Sequence, residues 1–190
     1  MKEMKKGFVL IELIIAAAIV VTIAGSGLAN YNQFNQREKL KAAALTVKTY
    51  LRKAQANALA GVKDEAACLL DPLDPLSPKQ PLDGWCLDMW HSPAGAGRGG
   101  YLYGHCGGLP AANPNAVDFS VEGYTLPEGV TISFDPTNNG ILLFKPLAQG
   151  VDQASIICLT NTSFGRIYRY KISVTTSGEI TDFGFVPNCP

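Results

Sequence analysis

Two histidines are all this 190-residue chain has, and it has no excess of charge: sixteen Lys and Arg stand against sixteen Asp and Glu. The balance excludes the strongly basic surface that nucleic-acid-binding domains use to collect phosphate. So few histidines leave little nitrogen for a zinc centre and few bases for a nucleophile. There is also no Cys-x-x-Cys and no Gly-x-Ser-x-Gly. The Gly95-Ala96-Gly97-Arg98-Gly99-Gly100 stretch lacks the Lys-Ser/Thr of a phosphate loop and precedes a strand-like segment. The expectation is a protein that is not an enzyme and carries no metal and no cofactor. Proline is absent before Pro72, and charge is nearly absent from 8 to 29, where Glu12 alone interrupts it.

That run, from Phe8 to Ala29, is ~33 Å long as a helix, which matches a bilayer core of ~30 Å. A carboxylate so placed costs roughly 2.5–3.5 kcal/mol in hydrocarbon, so Glu12 calls for a function and a partner. A secretory signal ending near Gly27-Leu28-Ala29, or a plain anchor oriented by Lys2, Lys5 and Lys6, fits the apolarity but leaves Glu12 unexplained.

Residues Lys5-Lys6-Gly7-Phe8-Val9-Leu10-Ile11-Glu12-Leu13 resemble the N-terminal methylation signal of type IV pilins and pseudopilins, with Val9 where Thr is usual. The resemblance implies cleavage by a prepilin peptidase between Gly7 and Phe8 and N-methylation of Phe8. It also implies that Glu12 pairs with the Phe8 ammonium of a neighbouring subunit during filament assembly. The implied partners are the peptidase, other pilins or pseudopilins, an inner-membrane assembly platform and the membrane itself, with no nucleic acid. The implied location is a single pass of the inner membrane with the C-terminal domain outside, then the pilus or pseudopilus. Removing a leader with three Lys and one Glu leaves the mature side chains at about −2, a near-neutral surface suited to packing against other subunits.

From Leu40 the pattern is amphipathic: Leu40, Ala44, Val47, Leu51, Ala54, Ala58 and Val62 recur at steps of three and four, with Lys41, Lys48, Arg52 and Lys53 between them. Strand-like segments follow at Glu65 to Leu70, Gly84 to Trp90, Gly100 to His105, Val130 to Phe134, Ile141 to Lys145, Ser155 to Leu159, Ile167 to Thr175 and Glu179 to Phe185. Asn139-Gly140 reads as a tight hairpin turn. The expected fold is α+β, a long N-terminal helix with a membrane-spanning first half, packed on a C-terminal antiparallel sheet, as in pilins. Its divisions are a leader at 1–7, a transmembrane or filament-core helix at 8–29, an amphipathic continuation at 30–61 and a β-rich globular domain at 62–190. Leu51-Arg52-Lys53-Ala54-Gln55-Ala56-Asn57-Ala58-Leu59, Ile132-Ser133-Phe134 and Ile172-Ser173-Val174-Thr175-Thr176-Ser177-Gly178-Glu179-Ile180 are similar to H-type minor pseudopilins of type II secretion and FimT-like minor pilins. That points to a secretion pseudopilin, with a pilin of an adhesion, motility or DNA-uptake pilus, or a tethered ligand-binding domain, as alternatives.

Cys68, Cys86, Cys106, Cys158 and Cys189 all follow the apolar run, on the side where disulfides persist. The count is odd, and spacing does not set connectivity. Cys86 and Cys106, each in a short strand-like segment with only a Gly-rich turn region between them, are the expected bridge, Cys189 is placed to hold the C-terminal tail, and Cys68 and Cys158 are candidates for burial. Asp71, Asp74 and Asp83 form an irregular calcium candidate, although Asp before Pro is ordinary turn chemistry. Asp135 to Gly140 fails as a calcium loop, because Pro146 stands where the bidentate Glu belongs. Arg166-Ile167-Tyr168-Arg169-Tyr170-Lys171 interleaves cations with aromatics, as single-strand binders do, but also reads as a solvated sheet face.

Overall fold

The computed structural model describes residues 6–69, 76–92, 95, 97–107, 117–134, 140–163 and 165–189. Helix α1 runs Lys6–Leu59, followed among the described residues by eight strands: β1 Leu82–Asp88, β2 Gly99–Cys106, β3 Val117–Thr125, β4 Val130–Phe134, β5 Ile141–Phe144, β6 Ser155–Ser163, β7 Arg166–Val174 and β8 Ile180–Val186. All strand pairs are antiparallel, in two four-stranded sheets ordered β3-β2-β1-β5 and β4-β6-β7-β8. The chain divides into two compact units, Met1–Glu38 and Lys39–Pro190.

The expected architecture is corrected in two respects. The strands form two sheets, not one, and the fold is mostly β. Among the described residues no helix is long and apolar enough to cross a membrane, which overturns the membrane-spanning half of the helix and the single-pass inner-membrane location. Glu12 and Thr22 interrupt the apolar side chains of that helix.

In the second unit, α1 supplies Leu40, Ala43, Ala44, Val47, Leu51, Ala54 and Ala58, all fully buried. They share one core with Leu87, Leu102, Leu142 and Phe144 of the first sheet and Ile157, Leu159, Ile172 and Val174 of the second. Each large side chain so buried contributes roughly 1.5–3 kcal/mol. The helix ends in a Schellman motif. Gly61, at φ 63°, takes the left-handed position, the Val62 N–H donates to the Asn57 carbonyl (2.9 Å) and the Gly61 N–H to Ala58 (3.1 Å).

Three local expectations also change. Of the expected Glu65–Leu70 segment, Leu70 lies outside the described residues and the rest is a turn rather than a strand, because Asp64 Oδ1 accepts the N–H groups of Ala66 and Ala67 and curls the chain; among the described residues only Leu69 bridges, to Lys79. Strand β3 was not expected. It carries a bulge at Ser120 (φ 53°), and the register against β2 shifts between Leu102 and Gly104, so Phe119 and Tyr124, five apart, are both buried. The hairpin about Asn139-Gly140 does not form, since β4 pairs with β6 and β5 with β1, in different sheets; Asn139 itself lies outside the described residues.

Candidate functional site

Gly7, Phe8 and Glu12 lie in α1, within the first unit. Around Glu12, Leu10, Ile11, Leu13, Ile14, Ile15, Ile19, Val20, Val21 and Ile23 are each more than half exposed. Glu12 is exposed too and makes no ion pair among the described residues. A helix apolar on every side is one that other protein or lipid covers, and exposed apolar surface on this scale marks an interaction site.

In the second unit, polar ties fix α1 to the sheets. Asp182 of β8 accepts hydrogen bonds from Lys48 Nζ (2.6 Å), Tyr170 Oη (3.0 Å) and its own neighbour Gly184 N–H (2.9 Å). Burial alone would raise this carboxyl, but the bonds and the Lys48 charge outweigh burial and hold it below its usual range. Burial and the same carboxylate push the Tyr170 hydroxyl up to about 12, so it stays a donor. On the other sheet, Tyr50 stacks on Tyr124 with centroids 4.5 Å apart and donates to Glu122, which also pairs with Lys53. Those two hydrogen bonds lower the Glu122 carboxyl.

The disulfides join Cys68 to Cys106 and Cys158 to Cys189. The expected Cys86–Cys106 bridge is absent. Strand β1 sets Cys86 opposite Tyr103, whereas Cys106 lies at the other end of the ladder, opposite Leu82, and Cys86 is a free, buried thiol. Burial, helped by the Asp118 charge, pushes that thiol up to about 12, which leaves it protonated and unreactive. Cys189 holds the tail against β6, and Arg169 adds a bond to the Pro187 carbonyl (2.8 Å).

Among the described residues no three of His, Cys, Asp and Glu converge where they could hold a metal ion. His91 is taken up by Asp88 (2.8 Å) and His105 by Asp118 (2.6 Å). Asp71 and Asp74 lie outside the described residues, as does the 135–139 segment. The alternation of β7 puts Arg169 and Lys171 on the face opposite Tyr168 and Tyr170: Tyr170 is buried in the core and Tyr168 packs against it, while Lys171 lies over Phe183 on another strand.

Sequence reasoning missed a cleft at the C-terminal end of α1. It encloses about 110 Å³ between Gln55, Ala58 and Leu59 of the helix, the 144–150 turn, and Ser177-Gly178. The turn is unusual. Leu147 and Ala148 both have positive φ (56° and 63°) and the Gln149 N–H reaches the Pro146 carbonyl at 3.4 Å, a geometry that normally selects Asn-Gly. Its parts come from three separate stretches, and the only local clue was the Pro146 to Gly150 break. In comparison with known proteins, the chain matches no family model, no curated protein and no solved structure.

Proposed function

We propose that this chain is a structural subunit of a type IV pilus-like filament, not an enzyme, and most specifically a minor pseudopilin of a type II secretion system. A pilin of an adhesion, motility or DNA-uptake pilus is the second reading, favoured by the same N-terminal residues and separable by gene neighbourhood. The observation that carries the proposal is the exposed apolar surface of α1 from 10 to 23, with Glu12 as its one carboxylate. Copies of the same helix would cover that surface. A carboxylate buried in such a bundle stays stable only beside a cation, and the Phe8 ammonium left by cleavage after Gly7 supplies one. Glu12 would thereby set the register between neighbours. The two disulfides suit a subunit that works where thiols are oxidised.

The test is the intact mass and N-terminal peptide of the protein isolated from its own host. A chain beginning at N-methylated Phe8 supports the proposal. A chain beginning at Asn30 or Met1 overturns it and favours a ligand-binding domain instead.

A further inference from the structure

We propose that the cleft at the end of α1 receives the 31–38 stretch of α1 from a second copy of this chain, with Phe34 entering the cleft and Glu38 pairing with Lys145. The inference rests on the filament reading and adds a specific contact to it. A cavity of about 110 Å³ takes one side chain rather than a ligand of drug size. Its walls are mixed, Ala58, Leu59, Phe144 and Ala148 standing beside the polar Gln55, Lys145 and Ser177, and it is open to water, Leu59 being 48% exposed. Lys145 on its wall makes no ion pair among the described residues.

The complementary surface lies on the same chain. Tyr31 and Phe34 are 64% and 62% exposed on α1, and Glu38 is exposed without an ion pair among the described residues. Phe34 and Glu38 are four apart, hence neighbours on one helix face. An aromatic with a carboxylate one turn further on therefore meets a cleft of mixed walls that include a lysine. The Pro146–Gln149 turn gives a second argument. Asn-Gly would make that turn without strain, yet the sequence places Leu at its tip and points it into water. Because each copy carries both halves at different places, the contact is head-to-tail, the kind from which a filament can be built.

The experiment uses the full chain in its own host, with Phe34 replaced by p-benzoylphenylalanine, photolysis and peptide mapping of the adducts. The expected product is a chain-to-chain adduct mapping to 55–59 or 144–150. Its yield should drop about tenfold with Lys145→Glu and recover when Glu38→Lys is added. Lys145→Gln should give an intermediate yield, and unchanged urea midpoints exclude a folding defect. Adducts to other sites of the chain or to a different protein, no adduct, or yields indifferent to the charge swap overturn the contact. If filaments form in those cases, the filament reading stands without it. Adducts at the cleft with no filament containing the chain would do the opposite, keeping the contact and discarding the filament.

Discussion

Leu147 and Ala148 sit in a backbone region that costs an L-residue about 1–2 kcal/mol, whereas a glycine put there loses about 0.5–1 kcal/mol to the flexibility of the unfolded chain. Strain relief outweighs that loss, so Ala148→Gly should stabilise the protein by about 0.5 kcal/mol, seen as a higher urea midpoint with unchanged slope. A lower midpoint would mean that the Ala148 methyl makes contacts worth more than the strain. Gly104 behaves oppositely. A Cβ there would meet the Phe119 ring at 2.1 Å, so the ring lies across the β2 backbone only because residue 104 has no side chain. Gly104→Val should cost about 3 kcal/mol and release the edge-on Trp85–Phe119 contact, which near-UV circular dichroism would register. Neither position was legible in the sequence. A glycine inside a strand announces a close approach but not what approaches, and a left-handed Leu-Ala turn runs against every local preference.

Helix α1 shows what periodicity can and cannot disclose. The stripe was readable from Leu40 to Ala58, where one helix face repeats every three or four residues and the stripe residues are buried, but its last member Val62 lies past the helix end and is 44% exposed. What the stripe packs on was not, since two sheets and one sheet present the same alternating strands. Strand β3 escaped because its bulge puts Phe119 and Tyr124 on one face at an odd spacing. The disulfides escaped because register, not nearness in sequence, brings Cys106 to Cys68. That bridge closes 38 residues and the other 31, so by loop entropy each should contribute about 4 kcal/mol. Cys158→Ser with Cys189→Ser should lower stability by about that much and free the tail to hydrogen exchange. The ties from α1 to the sheets predict acid sensitivity. Asp182 and Glu122 both have folded carboxyls below their ordinary 3.8 and 4.5. Their contribution is therefore complete above those values and is lost as pH falls below them through the lower folded ones. Lys48→Met should cost about 1 kcal/mol at pH 7 and flatten that acid limb; an unchanged limb would show that the Asp182 ties carry no weight.

The molecule as a whole joins a well-packed second unit to a first unit whose large apolar side chains from 10 to 23 are more than half exposed. The proposed N-terminal determinant was the most legible part of the sequence, because Gly7 to Leu13 is contiguous and needs no fold to assemble it. The cleft was the least, since 55–59, 144–150 and 177–178 meet only after both sheets form. Glu12 tests the first unit directly. Left exposed, as in the single chain, its carboxylate is hydrated, and replacing it by alanine should leave the fold of the second unit untouched, with the same urea midpoint. Inside a bundle of α1 helices the carboxylate and the Phe8 ammonium are both removed from water, and deleting one partner leaves the other unpaired, a loss of about 3–5 kcal/mol. Glu12→Ala should therefore leave cleavage after Gly7 intact but reduce incorporation into filaments by more than about a hundredfold, measured as the ratio of assembled to unassembled chain in sheared fractions. Glu12→Asp keeps the charge on a shorter stem and should fall between the two. Normal incorporation of Glu12→Ala would mean that the carboxylate does not set register and that the apolar surface alone drives association.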